Sequence, residues 1–145
     1  MIGGGIGVAM ILYMLFDSNE LSKINIPLYS VVLLFFGYSV FCGGLCLESK
    51  KTALRYSMIN QFLQLISFSI SGYCYNYVAG LYLMLLLDLT NYTGISVNFG
   101  ISKFDLIING QLQQTYINVN LIAMGLIYWI NKIAKNQRTE KGKSN

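Results

Sequence analysis

The chain has 145 residues, of which 54% are hydrophobic and only 11% are charged. A globular domain carries about 25% charged residues, so this composition, together with a mean hydropathy of +0.53, favours a protein of the lipid bilayer. The net charge is +4. Histidine is absent, so the commonest general base and metal ligand is missing from any candidate site.

The first two apolar segments are predicted to be membrane spans. Residues 1–16 form the first segment, which is short because a helical span needs about 20 apolar residues. A polar connector follows, and Pro27 marks the entry to the next helix. Residues 28–47 form the second span and contain no charged residue.

The third apolar segment is too long for one crossing. Residues 53–87 would make a helix of about 50 Å, whereas the hydrocarbon core is about 30 Å thick. We therefore predict a span over 54–75, which ends in a tyrosine-rich interfacial belt. Residues 78–87 would form a buried strand or a short helix on the outer side, with a re-entrant segment as the alternative.

An outer β-like segment over about 78–115 is predicted between the third and fourth spans. Apolar residues alternate with polar ones from Ile95 to Ile101, which is the period of a half-buried strand. Asn109 and Gly110 form the strongest short hairpin signal, because both turn positions must tolerate positive φ. These patterns predict a small antiparallel sheet over 94–118.

The last span is predicted over 116–134, followed by a basic, disordered tail over 135–145. The predicted fold is therefore an all-α integral membrane protein. It is a four-transmembrane-helix bundle, residues 1–134, with a small extracytoplasmic β-hairpin or meander between helices 3 and 4.

Basic residues predict the orientation of the spans, because lysine and arginine concentrate in cytoplasmic loops. Only Lys23 and Lys103 would lie outside. The chain is thus predicted to be a multi-pass protein of the inner (plasma) membrane with both termini in the cytoplasm. Its positive clusters would face anionic lipids rather than nucleic acid. The predicted cytoplasmic basic residues are Lys50, Lys51, Arg55, Lys132, Lys135, Arg138, Lys141 and Lys143.

A polar stripe marks the third predicted helix. Asn60, Gln64, Ser67 and Ser71 recur at intervals of four, three and four residues, which places them on one helix face. Polar side chains in lipid need partners or water. The stripe is predicted either to form interhelical hydrogen bonds inside the bundle or to line a water-filled path in a homo-oligomer.

No catalytic, cofactor or metal site is predicted. Cys42, Cys46 and Cys74 all lie in apolar segments, and a structural zinc site needs four ligands. The serines have no histidine that could activate them. We therefore expect no enzyme activity and no cofactor.

The predicted function is that of a membrane anchor or sensor subunit in a multicomponent, homo-oligomeric bacterial membrane complex, with a possible soluble cytoplasmic partner. The alternative is a homo-oligomeric ion channel lined by the polar face of helix 3. In span count, size and outer β-like insert, the chain resembles small four-span components of bacterial antiphage defence systems, including the Kiwa system. That resemblance implies a role in antiviral defence.

Overall fold

The structure, a computed structural model, describes residues 2–17, 26–48, 52–90, 94–108, 110 and 114–143. This part of the chain is an α+β fold with four helices and a four-stranded antiparallel sheet. In chain order the elements are α1 (Ile2–Asp17), α2 (Ile26–Leu47), α3 (Ala53–Leu65), β1 (Ile66–Ile70), β2 (Tyr73–Asp88), β3 (Gly94–Ile107), β4 (Tyr116–Asn120) and α4 (Leu121–Lys143).

Helices α1 and α2 pack closely against each other and against β2. A Cβ atom on Gly7 would overlap the ring of Phe36, so glycine permits this approach of the two helices. Ile11, Val32, Phe36 and Tyr77 form the buried cluster where α1, α2 and β2 meet. Burial of each such side chain stabilises the fold by about 1.5–3 kcal/mol.

The sheet has the strand order β1-β4-β2-β3, with an additional pairing of β1 with β2. The first residues of β2 pair with β1, whereas its last residues, from Met84 to Asp88, pair with β4. Because β1 also pairs with β4, these pairings close a ring to which β2 contributes at both ends. A register shift between Val78 and Leu81 and a φ of +128° at Gly80 mark the irregularity that lets β2 bend.

The predicted third membrane helix over 54–75 is wrong beyond Leu65, where α3 ends. Residues 66–70 form β1, with alternating exposed and buried side chains. Ile66, Phe68 and Ile70 alternate with serines in the sequence, so the period of two decides the structure here rather than overall hydrophobicity. Residues 78–87 belong to β2. The sequence had predicted either a strand or a short helix for these residues.

The predicted hairpin between β3 and β4 is also wrong, because β2 lies between these two strands. β3 pairs along its length with β2, from Gly94 opposite Asp88 to Ile107 opposite Cys74. Most of this partner strand comes from residues 78–87, which were expected on the outer side of the membrane as a strand or a short helix. Asn109 lies outside the described residues, and Gly110 donates its N–H to the Gly72 oxygen at 3.0 Å.

The four-span membrane architecture is contradicted by the helices. Among the described residues one helix, the 21-residue segment Pro27–Leu47, is long and apolar enough to cross a membrane, with a mean hydropathy of 2.1 over an 18-residue window. The apolar helix Ile2–Tyr13 is shorter, and the predicted fourth span begins with strand β4. The apolar composition led to a wrong prediction of membrane helices, because apolar residues that recur at a period of two form the strands of a sheet.

The functional predictions that depended on four spans fail with that architecture. The all-α bundle, the multi-pass inner-membrane location with two cytoplasmic termini, the multi-pass anchor or sensor subunit and the ion channel lined by helix 3 are all wrong. The resemblance to antiphage-defence proteins rested on span count, size and an outer β-like insert, and it fails because the four spans are absent from the described residues. Among the described residues, strands replace the second half of the third predicted span and the first residues of the fourth.

Candidate functional site

A cleft of about 1000 Å³ lies among α1, the end of α2, α3, the bend of β2 and the start of α4. Its volume is at the upper end of the range for small-molecule sites, about 300–1000 Å³. Most lining residues are apolar or glycine, and none of them is charged. The amide side chains on its wall are those of Gln61, Gln64 and Asn120.

The bend of β2 forms one wall of this cleft and is held by Ser102. The Ser102 hydroxyl accepts the N–H of Gly80 at 3.1 Å and donates to the main-chain oxygen of Gly3 at 3.0 Å. A Cβ atom on Gly3 would overlap the backbone of Gly80. The start of α1 can therefore lie directly on the bend because Gly3 lacks a side chain, whereas position 80 favours glycine because of its φ of +128°.

Gln64 is the polar group that the cleft leaves unpaired. It lies in the last turn of α3, and its side chain is only 3% exposed. The Oε1 atom accepts the N–H of Ala79 at 2.9 Å, and since a backbone N–H can only donate, this contact assigns the amide oxygen. The Nε2 group then has no hydrogen-bond partner among the described residues. An unsatisfied buried donor costs about 1–3 kcal/mol.

Asn120 holds the beginning of α4 against the same cleft. Its side chain is 2% exposed, and its Oδ1 atom accepts the N–H groups of Ile122 at 3.2 Å and Ala123 at 3.4 Å. This is the arrangement of a helix N-cap, in which a side-chain oxygen satisfies otherwise unpaired donors of the first turn. The cap places Ile122 and Ala123 on the cleft wall.

A buried polar network joins α3 to α2 and β2 beside the cleft. Asn60 donates its amide Nδ2 to the Ser39 hydroxyl at 3.2 Å. The Tyr77 hydroxyl lies 2.7 Å from the Phe35 oxygen and 3.3 Å from Asn60 Oδ1, with the shorter contact the main acceptor. Burial raises the pKa of Tyr77, so the hydroxyl stays protonated and remains a donor.

The predicted polar stripe is divided between three elements. Asn60 and Gln64 lie on one buried face of α3. Ser67 lies on β1 and donates to Asn76 Oδ1 at 3.0 Å. Ser71 lies in the turn between β1 and β2 with a φ of +49° and is exposed. The structure therefore brings the first two residues to the cleft region and separates Ser71 from them.

The predicted basic clusters lie away from the cleft. Lys50 and Lys51 fall outside the described residues. Arg55 is exposed near the start of α3, and Lys132 and Lys135 are exposed on α4. Arg138 also lies within α4, which continues through Lys143, over most of the tail predicted to be disordered.

Sequence reasoning missed the residues that shape the cleft. Asn120 directly precedes an apolar helical run, which is the position and residue type of an N-cap, and this signal could have placed the start of α4. Ser102 occupies a polar position in the alternation of β3, and no sequence pattern pairs it with Gly3 or Gly80. Those contacts join residues far apart in the chain.

No three side chains of histidine, cysteine, aspartate or glutamate lie together as a metal site in the part of the chain that the structure describes. The free thiols of Cys42 and Cys74 are buried. No protein-family model, no curated protein and no solved structure matches the chain. The geometry of the cleft is therefore the basis for a functional proposal.

Proposed function

We propose that this chain is a non-enzymatic, membrane-associated protein that binds a neutral acyl lipid in the cleft beside Gln64. The observation that carries the proposal is the unpaired Nε2 group of Gln64, held by Ala79 on the wall of a largely apolar cleft. An alkyl chain would occupy the apolar volume, and an ester or amide carbonyl would accept the hydrogen bond from Nε2.

The composition of the cleft wall supports a neutral ligand. No charged side chain lines the cleft, and a buried carboxylate or ammonium without a partner is strongly disfavoured. A carbonyl oxygen needs only one donor, which Gln64 supplies. Ligand sites of this kind combine an apolar lining with a few placed polar groups that fix orientation.

Helix α2 supports association with a lipid bilayer, which is the partner expected from composition. Its apolar segment from Pro27 to Leu47 has 21 residues and is about 31 Å long at 1.5 Å per residue. Leu34, Phe41 and Leu47 are 71%, 53% and 76% exposed. The exposed side of α2 would lie against lipid, whereas its other side stays packed on α1 and β2.

The basic residues support an orientation toward anionic headgroups. α3 and α4 pack together, and both adjoin the β1–β4 pair, since Ile66 follows α3 and Asn120 precedes α4. Arg55, Lys132 and Lys135 therefore lie toward the end of this helix pair that is remote from the sheet. Basic residues near a membrane surface each contribute about 1 kcal/mol of attraction to anionic lipid. A soluble partner for this end stays a prediction.

Binding of monoolein, a neutral acyl glycerol, tests the proposed ligand class. Purified protein in mild detergent is titrated with monoolein, and the complex is measured by native mass spectrometry. We expect Gln64→Leu to weaken binding by about twofold to tenfold, because one hydrogen bond in an apolar site contributes about 0.5–1.5 kcal/mol. Gln61→Leu is the matched control, because Gln61 lies on the same helix and the same cleft wall but is half-exposed.

Equal affinity of the Gln64 and Gln61 variants would contradict the proposal, and so would the absence of any monoolein complex in the unmodified protein. Gln64→Leu also leaves the Ala79 N–H without its acceptor, so its fold is checked by circular dichroism. Gln64→Glu keeps an oxygen that accepts the N–H of Ala79 but puts a second carboxylate oxygen in place of the Nε2 donor. At neutral pH this variant should therefore also bind monoolein more weakly.

Liposome flotation tests the membrane partner separately. We expect the protein to float with vesicles of phosphatidylcholine and phosphatidylglycerol, and Leu34→Glu with Phe41→Glu to abolish flotation because both side chains are exposed on α2. The control carries Ile108→Glu, which is 71% exposed but outside α2. Flotation that is unchanged by the α2 substitutions would rule out α2 as the membrane contact.

A further inference from the structure

One edge of strand β3 pairs with no other strand that the structure describes. It is the last strand in the sheet order, and β2 is its partner among the described strands. Every second residue of such an edge presents a backbone N–H and C=O that no neighbouring strand satisfies. The first half of β3, residues 94–99, is exposed throughout. This segment is a template for another strand.

The usual protection of an edge strand is missing from this segment. Proteins commonly place lysine, proline or a bulge along a free edge to prevent pairing with another chain. From Gly94 to Ser102 β3 contains neither a charged residue nor proline. The first charged residue is Lys103, which forms an ion pair with Asp105 at 3.1 Å. A second strand can therefore pair with β3 as far as Ser102, whereas the charged residues from Lys103 onward oppose pairing.

The sequence of the free segment is symmetric about Val97. It reads Gly-Ile-Ser-Val-Asn-Phe-Gly over residues 94–100. Going outward from the centre, Ser96 mirrors Asn98, Ile95 mirrors Phe99, and a glycine stands at each end. The apolar members are among the most exposed in the protein, with Ile95 73%, Val97 60% and Phe99 71% exposed.

We propose that two copies of this chain associate by antiparallel pairing of their β3 strands about a two-fold axis at Val97. In that register Val97 lies opposite its own copy, each Ile95 lies opposite the second copy's Phe99, and each Ser96 lies opposite Asn98. Every apolar residue then meets an apolar one and every polar residue a polar one. The two four-stranded sheets become one continuous sheet across the axis.

A second copy fits this edge because a two-fold axis requires self-complementarity. An isologous interface brings the same surface patch of both subunits together, so a residue on the axis must tolerate itself as a neighbour. Val97 does so, since an uncharged β-branched pair packs well across strands. α1 meets β3 through Ser102, beyond the paired segment. The proposal is independent of the Gln64 cleft.

Charge placed on the axis tests the register. The mass of the protein in mild detergent is measured by light scattering over a range of concentrations. One chain has a mass of 16.3 kDa, and we expect the unmodified protein to have the mass of a dimer. Val97→Lys and Val97→Glu should each raise the dimer Kd by roughly tenfold or more, because like charges would lie directly opposite each other. An equimolar mixture of the two variants should recover the dimer as a heterodimer.

That recovery distinguishes pairing at Val97 from a general effect of surface charge. Ile108→Lys is the matched control, since Ile108 is 71% exposed and follows the end of β3; it should leave the dimer unchanged. A monomeric unmodified protein would overturn the proposal. So would variants that stay dimeric, or a mixture that stays monomeric while each variant is folded.

Cysteine cross-linking provides a second measurement. In a Cys46→Ser background, Val97→Cys should form an intermolecular disulfide under mild oxidation, because residues directly opposite across antiparallel strands have Cα atoms about 4.5–5.5 Å apart. Ile95→Cys should not cross-link, because its two copies would lie about 14 Å apart along the strands. Equal cross-linking at the two positions would contradict the register.

Discussion

The Tyr77 hydroxyl donates a hydrogen bond to the main-chain oxygen of Phe35 at 2.7 Å, and this contact ties the first half of β2 to the middle of α2. The Tyr77 side chain is completely buried, with its ring 4.9 Å from that of Phe35 and 5.6 Å from that of Phe36, measured between centroids. One residue thus joins the sheet to the helix that is proposed to contact lipid.

Tyr77→Phe should lower the free energy of unfolding by about 1–2 kcal/mol, because the ring remains but a buried hydrogen bond is lost. Urea unfolding followed by circular dichroism measures the change. Tyr128→Phe is the control, since Tyr128 is 69% exposed and should change stability by less than about 0.5 kcal/mol. Equal effects of the two substitutions would remove the structural role assigned to the Tyr77 hydroxyl.

Gly7→Ala and Gly5→Ala should have effects of opposite sign. A methyl group on Gly7 would overlap the ring of Phe36, whereas one on Gly5 would meet nothing within 4 Å. We expect Gly7→Ala to destabilise the fold by about 1–3 kcal/mol through overpacking. Gly5→Ala should stabilise it by up to about 1 kcal/mol through higher helix propensity. Thermal unfolding of both variants decides whether α1 packs on α2 as described.

Ser102→Ala should destabilise the bend of β2 by about 1–3 kcal/mol, because it leaves the Gly80 N–H without its acceptor. Ser71→Ala is a matched control, since both serines have a positive φ, +44° at Ser102 and +49° at Ser71, and Ser71 is exposed. Because Gly80 lies on the cleft wall, Ser102→Ala should also weaken monoolein binding. If stability falls equally for both serines, backbone strain rather than the hydroxyl bridge is responsible.

Stability should fall in acid partly through Asp88. Hydrogen bonds from the side chain and the N–H of Thr90 lower the pKa of the Asp88 carboxyl from its ordinary value of 3.8. A carboxyl with a lowered pKa in the folded state stabilises the fold above its unfolded pKa, and this contribution is lost as the pH falls through the lower folded pKa.

Asp88→Asn should therefore flatten the dependence of unfolding free energy on pH below 3.8. Thr90→Val should flatten it in part, because one of the two hydrogen bonds remains. Urea unfolding at a series of acidic pH values measures both slopes. Slopes identical to that of the unmodified protein would show that Asp88 does not contribute.

The positions of the helices were partly predictable from the sequence, whereas the secondary structure of the third apolar segment was not. α2 was predicted over 28–47 and lies over Ile26–Leu47, because a long uncharged run bounded by polar residues favours one structure. The segment from 53 to 87 contained both periods: Asn60 and Gln64 follow a helical period, and Ile66 to Ile70 alternate. Total hydrophobicity gave no indication of where one period replaces the other.

Gln64 was singled out from the sequence as one of four polar residues on an apolar segment, but its role could not be derived there. Its oxygen meets the N–H of Ala79, which lies in another element, and its nitrogen is buried without a partner among the described residues. The wall of the cleft beside it comes from six separate stretches of the chain. The same holds for the bridge that Ser102 makes between Gly3 and Gly80. Such contacts have no local pattern.

Local sequence by itself determined where chain segments become helix or strand, because periodicity, glycine turns and caps act between neighbouring residues. It determined the uncharged helix α2, the alternating strand β3 and the cap at Asn120. Only the tertiary structure decided that β2 separates β3 from β4, that Gln64 keeps an unpaired donor, and that β3 ends the sheet with a free edge. These features depend on which distant segments meet, and that choice is made by the packing of the whole chain.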